Sequence, residues 1–403
     1  MRKQNGFGSA LLSTGLALGL VFSAACAGEN QSRFGKDGAD EPGNPGRLVI
    51  IGGALQAENT EVYQAILDGR EGEGPVCVFP TASAEPQESM ESAVSRIDAV
   101  GGPGTAQGIF LTVDNPEAAA LPETVTQIEG CSGFYFVGGQ QRRIVEVFRP
   151  EEGDSPAYRA LKARYHSGAV VSGSSAGAAI MNDPMIGGGS SLGALAEGVR
   201  SGEEEEGVIL QRGLGFLSNT LVDQHFLARG RWARLLVAVL ETESYTFGAG
   251  IDENTALVVD GQSAWVAGAS GVVFFDTRGM ALRGDGSGFS GVSVFLLGQG
   301  DRLNLQLGTV TPAVGKAPWA GPMGAENPFD SDLFRRWGLL AFFTESGVSS
   351  DSAFTFEQGG FRFEFSKGQG FKALAGEGQG VEGAPQGLSV GPLILAFSTV
   401  GSG

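Results

Sequence analysis

From residue 47 onward, the apolar positions of this chain fall in short unbroken runs separated by longer mixed stretches. Leu48-Val49-Ile50-Ile51 is apolar at every position and stops at Gly52-Gly53. A strand with one wet face alternates apolar and polar residues, so an unbroken run fits a strand covered on both faces. Val76-Cys77-Val78-Phe79, Gly108-Ile109-Phe110-Leu111, Phe134-Tyr135-Phe136-Val137 and Ala169-Val170-Val171 read the same way. Residues 59–68 and 86–100, which lie between such runs, have helical composition. Repeated strand–helix units predict an α/β fold on a doubly wound, mostly parallel sheet. The working loops of such sheets sit at the carboxyl ends of the strands, which puts Gly52-Gly53, Gly138-Gly139 and residues 172–177 on one rim.

The pattern changes at both ends. Arg2 and Lys3 precede an apolar, small-residue stretch from Ala10 to Ala25, too short for a good spanning helix and suited to an export signal. Ser23-Ala24-Ala25-Cys26 resembles a bacterial lipoprotein box. Residues 1–26 are therefore expected to be a signal peptide with Cys26 as the lipidation site; the rival is ordinary cleavage at Ala25-Cys26-Ala27. The expected destination is the cell envelope, lipid-anchored, or secretion. Residues 27–46 are polar, aperiodic and read as a flexible linker. The main domain is expected over 47–310, with a β-rich C-terminal extension of unassigned role over 311–403. In that extension Phe354-Thr355-Phe356 and Phe361-Arg362-Phe363-Glu364-Phe365 alternate, as half-buried strands of a hairpin around Gly359-Gly360 would.

The net charge of −18 argues against nucleic-acid or anionic-membrane partners, which need clustered Lys and Arg. Membrane contact is expected only through a lipid anchor. Cys77 and Cys131 lie in or beside apolar runs. Export permits a disulfide, but the expectation is two buried thiols, because spacing alone does not fix their distance. No cofactor is expected: the glycine pairs lack a G-x-G-x-x-G or Walker pattern, and no His/Cys/Asp cluster has metal-ligand spacing.

Gly173-Ser174-Ser175-Ala176-Gly177 follows one of the buried strands and precedes an Ala-rich helix. G-x-S-x-G in that context is a nucleophile elbow, with Ser175 exposed by a sharp turn and the Ala176 N–H available to an oxyanion. A serine needs a base, and the chain has only two histidines. His166 precedes the strand leading to Ser175 and would emerge at the far edge of the sheet. His225, in Leu221-Val222-Asp223-Gln224-His225-Phe226, can reach the same rim. No histidine follows it, which excludes the α/β-hydrolase order of acid before a final histidine. The orienting acid is then Asp223, Asp252 or Glu253. Arg231 and Arg234 share a face of a helix-like run from Arg229 to Leu240, suited to a substrate carboxylate or simply to solvent.

Taken together these segments resemble the cyanophycinases, serine peptidases related to peptidase E with a class I glutamine-amidotransferase-like (flavodoxin-like) fold. The matching segments are Gly52-Gly53, Phe136 to Gln141, Gly173 to Ala178, Asp223 to Phe226 with Arg229, Arg231 and Arg234, and Gly250 to Ala256. The resemblance covers about residues 47–275. It implies Ser175 as nucleophile, His225 as base and Glu253 as orienting acid. It implies oxyanion donors at Gly139 and Ala176, and a substrate pocket shaped by Gln141, Asp223, Gln224, Arg229, Arg231 and Arg234. The implied substrate is cyanophycin, polyaspartate bearing arginine, cut to β-Asp-Arg dipeptides; a homodimer is the assembly considered. Gln140 and Ser174 depart from the family's usual Asp and Thr. The alternatives are an aspartyl dipeptidase-like peptidase of the same fold and a non-catalytic surface lipoprotein.

Overall fold

The computed structural model describes residues 45–200, 207–284, 288–318, 354–358, 360–376 and 387–400. The expected signal peptide, its Cys26, the linker up to residue 44 and the acidic run 203–206 lie outside the described residues.

The first half alternates as expected: β1 (Leu48–Ile51), α1 (Thr60–Leu67), β2 (Val76–Phe79), α2 (Pro86–Gly101), β3 (Ala106–Gly108), α3 (Pro122–Glu129), β4 (Gly133–Phe136), α4 (Gln141–Phe148), α5 (Pro156–His166), β5 (Val170–Ser174) and the short α6 (Ala176–Ala179). A β-rich second half begins with β6 (Met185–Gly189), α7 (Ser191–Glu197), β7 (Val199–Arg200) and β8 (Val208–Gln211), then β9 (Asn219–Asp223), α8 (Trp232–Glu241) and β10 (Tyr245–Ile251). It continues through β11 (Thr255–Asp260), β12 (Ser263–Gly268), β13 (Gly271–Asp276), β14 (Ala281–Leu282), β15 (Gly288–Gly298), β16 (Arg302–Asn304), β17 (Thr309–Thr311) and β18 (Ala317–Pro318). It ends with β19 (Phe354–Gln358), β20 (Phe361–Ala375) and β21 (Ser389–Thr399).

Two nine-stranded sheets carry the fold. In the first, β1, β5, β4, β2 and β3 run parallel in that order, and β11 extends β1 antiparallel. The four-residue cores of β1, β2 and β4 are buried throughout, as their unbroken apolar runs require. One face of this sheet packs on α1 and α2 through Val62, Tyr63, Ile66 and Ile97. The other packs on the helices from α3 to α6. α5 starts where its sequence says it should: Pro156 fills the first turn and the Ser155 hydroxyl accepts from the Tyr158 N–H.

The second sheet runs β18-β20-β21-β15-β13-β10-β9, with only β9 and β10 parallel. The hairpin of β19 and β20 forms with Phe356 opposite Phe363. The C-terminal strands are part of this sheet, since β21 pairs with β15. Phe363 and Phe365 pack their rings on Trp232 of α8. Buried Asp301 and Ser389 and the covered side chain of Lys316 join the two sheets' margins: the Lys316 ammonium donates to Asp301 at 2.5 Å and to the Ser389 hydroxyl at 2.7 Å.

Two expectations are corrected. The strand expected at 108–111 is Ala106–Gly108. Among the described residues it is an edge strand bonded only to β2, and Ile109 and Leu111 are buried beyond its end while Phe110 is 43% exposed. Cys77 and Cys131 are not two thiols but a disulfide, with Cα atoms 5.8 Å apart. β2 and β4 are sheet neighbours with Val76 opposite Gly133, which brings Cys131, two residues before Gly133, alongside Cys77.

Candidate active site

Ser175 stands at the end of β5, where the chain turns sharply into α6. Its backbone is at φ 55, ψ −106, a strained conformation for a residue with a Cβ and one found at functional turns. The flanking glycines make the turn sterically feasible. A Cβ at Gly173 would lie 2.4 Å from the Gly177 carbonyl oxygen, and one at Gly177 would lie 2.5 Å from that of Phe136. The turn is pinned from the neighbouring strand by the Ser175 N–H, which donates to Ile51 O at 3.0 Å.

His225 follows β9, in the second sheet, and also has a positive φ, 48°. Its N–H donates to Gly52 O at 2.6 Å, locking the loop against the first rim glycine pair. The imidazole packs so closely on Gly53 that a Cβ there would lie 2.3 Å from Cε1. His225 Nε2 is 2.8 Å from Ser175 Oγ, and Nδ1 is 2.7 Å from Glu253 Oε1. With Nδ1–H donating to the carboxylate, Nε2 is free to accept from the serine hydroxyl. Burial lowers the His225 pKa below its ordinary 6.5, and the positive charges of Arg229 and Arg231 lower it further; Glu253 opposes both. The ring is thus neutral at pH 7 and able to take a proton.

The three candidate acids are sorted by geometry. Glu253 meets His225. Its neighbour Asp252 is fully buried and accepts instead from the Ala228 N–H at 3.0 Å and the Ser270 hydroxyl at 2.7 Å, bracing the loop that carries His225. Asp223 is paired elsewhere, with Arg234. His166 ends α5, at the opposite end of β5 from Ser175, as expected.

Gly138 passes beside the serine, where a Cβ would be 3.3 Å from that of Ser175, and Gly139 packs on the Ala82 backbone. The Gly139 and Ala176 N–H groups donate to no backbone carbonyl among the described residues.

The expected substrate-contacting residues divide into two sets. Arg234 grips Asp223 with two 2.7 Å hydrogen bonds and donates a third, also 2.7 Å, to Gly189 O. Both side chains are almost fully buried, so this pair is structural: it ties the end of β9 to α8 and β6 rather than reaching a ligand. Their part in shaping the pocket is then a supporting one, because Asp223 and Gly189 O occupy the Arg234 donors while Arg234 and the Gln224 N–H occupy the Asp223 carboxylate. Arg231 stays nearer the surface and donates to Gln224 through both the backbone oxygen and Oε1, each at 2.8 Å. Burial, with Arg234 and Arg229 nearby, pushes its pKa down to about 10, so it remains charged at neutral pH. Arg229 is exposed. Gln141, at the start of α4, donates to Gly187 O at 2.9 Å.

A cleft of about 370 Å³ opens at Ser175 and His225 and is walled on the far side by Tyr63, Ser89, Ser92 and Arg96 of α1 and α2. No motif in the sequence marks these residues. Their only signal is that Ser89, Ser92, Ala93 and Arg96 repeat at helical spacing on one face.

A hydroxyl on a strained strand–helix turn, hydrogen-bonded to an imidazole that is itself held by a carboxylate, is the arrangement of a serine-type hydrolase. Comparison with known proteins agrees. The family model for peptidase family S51 matches residues 48–267. Among similar proteins is a cyanophycinase of Nostoc sp., 28% identical over 281 residues, covering 66% of this chain and 88% of that one. A cyanophycinase of Geminocystis herdmanii is 29% identical over 270 residues, covering 64% and 93% respectively. A solved peptidase from an acI-B1 Actinobacterium aligns over 57% of this chain and 89% of its own, at 22% identity and a TM-score of 0.43. The chain belongs to peptidase family S51, and it is a serine-type peptidase.

Proposed function

We propose that this peptidase hydrolyses cyanophycin to β-Asp-Arg dipeptides through an acyl-enzyme on Ser175. The hydrogen-bonded chain Ser175–His225–Glu253 is the observation that carries the reading. Ser175 Oγ attacks the amide carbonyl carbon as His225 Nε2 takes its proton. The oxyanion forms against the Gly139 and Ala176 N–H groups. The C–N bond then breaks, and His225 returns the proton to the departing amine. Water, deprotonated by the same nitrogen, releases the acyl group. Glu253 holds the imidazole in the required tautomer and stabilises its charge.

The substrate assignment draws on two supports. Two of the similar proteins named above are cyanophycinases. The site also gathers positive charge in a chain of net charge −18: Arg229 and Arg231 are near enough to His225 to lower its pKa, and one carboxylate, Asp223, serves both Arg234 at 2.7 Å and Arg231 at 3.9 Å. Such a site suits a substrate rich in carboxylates. Gln141 and Gln224 add polar contacts. The disulfide in the core of the first sheet is supporting ground for export, since such bonds persist in oxidising compartments.

Purified cyanophycin incubated with the protein should yield β-Asp-Arg, and Ser175→Ala should yield none. If the polymer survives while a fluorophosphonate probe still labels Ser175, the substrate is wrong and the nucleophile right.

A further inference from the structure

The substrate-contacting residues implied by family resemblance lie on or beside α4, β9 and α8. The 370 Å³ cleft is built from elsewhere, on the face of the first sheet that carries α1 and α2. Its volume is at the small end of the roughly 300–1,000 Å³ of ordinary ligand sites. The face of α2 turned toward it is made of Ser89, Ser92, Ala93 and Arg96, small and polar around one cation. Arg96 donates through Nη1 to Leu55 O at 3.0 Å, which fixes the guanidinium without neutralising it. Tyr63, whose phenol burial keeps protonated, stands beside it in the cleft wall. No carboxylate pairs with Arg96 among the described residues, whereas Arg47, Arg149, Arg200, Arg234 and Arg278 each have one. A pinned guanidinium in the wall of a catalytic cleft, with no carboxylate bonded to it among the described residues, has donors left for an incoming anion.

The cleft reaches the site at Ser175, Gly138 and His225, the last being the group that hands a proton to the departing amine, and it is not lined by Gly139 or Ala176, whose N–H groups would hold the acyl oxygen.

We propose that this cleft is a carboxylate-binding subsite for the leaving group, with Arg96 as its specificity-determining residue. The ligand class is a short peptide whose free carboxylate lies within a few bonds of the departing amine. On the proposed function, on which this inference rests, that leaving group is the β-Asp-Arg unit itself. Recognition of its carboxylates then places the cut one unit from a chain end.

The test is equilibrium binding of β-aspartyl-arginine and of its dicarboxamide to the Ser175→Ala protein, which requires no turnover. Adding Arg96→Gln should weaken the dipeptide about tenfold, the worth of a charge-assisted contact, and leave the dicarboxamide within twofold. Arg96→Lys keeps the charge and a donor for Leu55 O but loses the fork, and should fall between; it serves if the Gln protein melts early. The subsite is overturned if the dipeptide does not bind, if Arg96→Gln leaves its affinity within twofold, or if both ligands weaken equally. Polymer hydrolysis by the Ser175 protein reads the parent proposal separately. A protein that cuts the polymer but shows no Arg96 effect loses only the subsite, and one that binds through Arg96 but leaves the polymer intact loses only the substrate.

Discussion

Replacing Glu253 with Gln keeps the shape of the side chain and removes its charge, so it isolates what that charge does for His225. During acyl transfer the imidazole becomes a cation beside the carboxylate, at a contact of 2.7 Å between Nδ1 and Oε1. Two unit charges centred about 4 Å apart attract by about 4 kcal/mol at an effective dielectric of about 20. The Glu253 side chain is 28% exposed, so solvent screens part of this, leaving about 3 kcal/mol. At about 1.4 kcal/mol per tenfold, kcat should fall about 10²-fold, with KM little changed because the charge pair exists only after proton transfer. A Gln amide turned to donate to Nδ1 would stabilise the wrong tautomer and push the loss toward 10³-fold. The pH profile gives an independent reading. Glu253 is the group that raises the His225 pKa against burial and two arginines. Without it the pKa drops further, and the acid limb of kcat/KM moves to lower pH. Release of β-Asp-Arg, followed from pH 4 to 9 for both proteins, measures both effects. A loss below fivefold with an unmoved acid limb would refute the role given to Glu253.

Other consequences follow from the same contacts. Arg229→Gln removes an exposed positive charge that depresses His225, so the acid limb should move up toward the ordinary histidine range with folding stability unchanged; a pH–rate profile beside a thermal melt checks this. Arg234→Met strands the buried carboxylate of Asp223 and should cost about 3–5 kcal/mol in urea unfolding, against almost nothing for Arg229→Gln. The Cys77–Cys131 bond closes a sequence separation of 54 residues. Chain entropy sets its worth at up to about 4 kcal/mol, so Cys77→Ser and reduction of the native protein should lower stability by similar amounts, and reduction should do nothing further to the variant.

How far the sequence alone reaches can be seen residue by residue. β1, β2 and β4 were legible because double-sided burial leaves no polar position to blur the run. β3 was not, because an edge strand borrows its apolar residues from the loop that plugs the core. Ser175 announced itself through Gly173 and Gly177, whose missing Cβ atoms the turn demands. His225 was found because only two histidines exist. The choice of acid was different in kind. Asp252 and Glu253 are adjacent, and which one faces His225 depends on how the chain leaves β10, which only the folded sheet decides. The Asp223–Arg234 pair and the Cys77–Cys131 bond depend on which elements become neighbours, which no local pattern encodes. Arg96 carried no signal beyond its place on a polar helix face, so its environment alone makes it noteworthy.

The three members of the catalytic chain do not share one sheet. Ser175 ends a strand of the first, His225 follows a strand of the second, and Glu253 sits on the link between β10 and β11, where the backbone passes from one sheet to the other. The 2.8 Å contact between Ser175 and His225 is therefore a gauge of how the two sheets are registered. The second sheet holds its register partly through β21, more than two hundred residues after Ser175 along the chain. The base is thus seated by a sheet to which residues far beyond it in the chain contribute, so the pairing of nucleophile and base is a property of both sheets together.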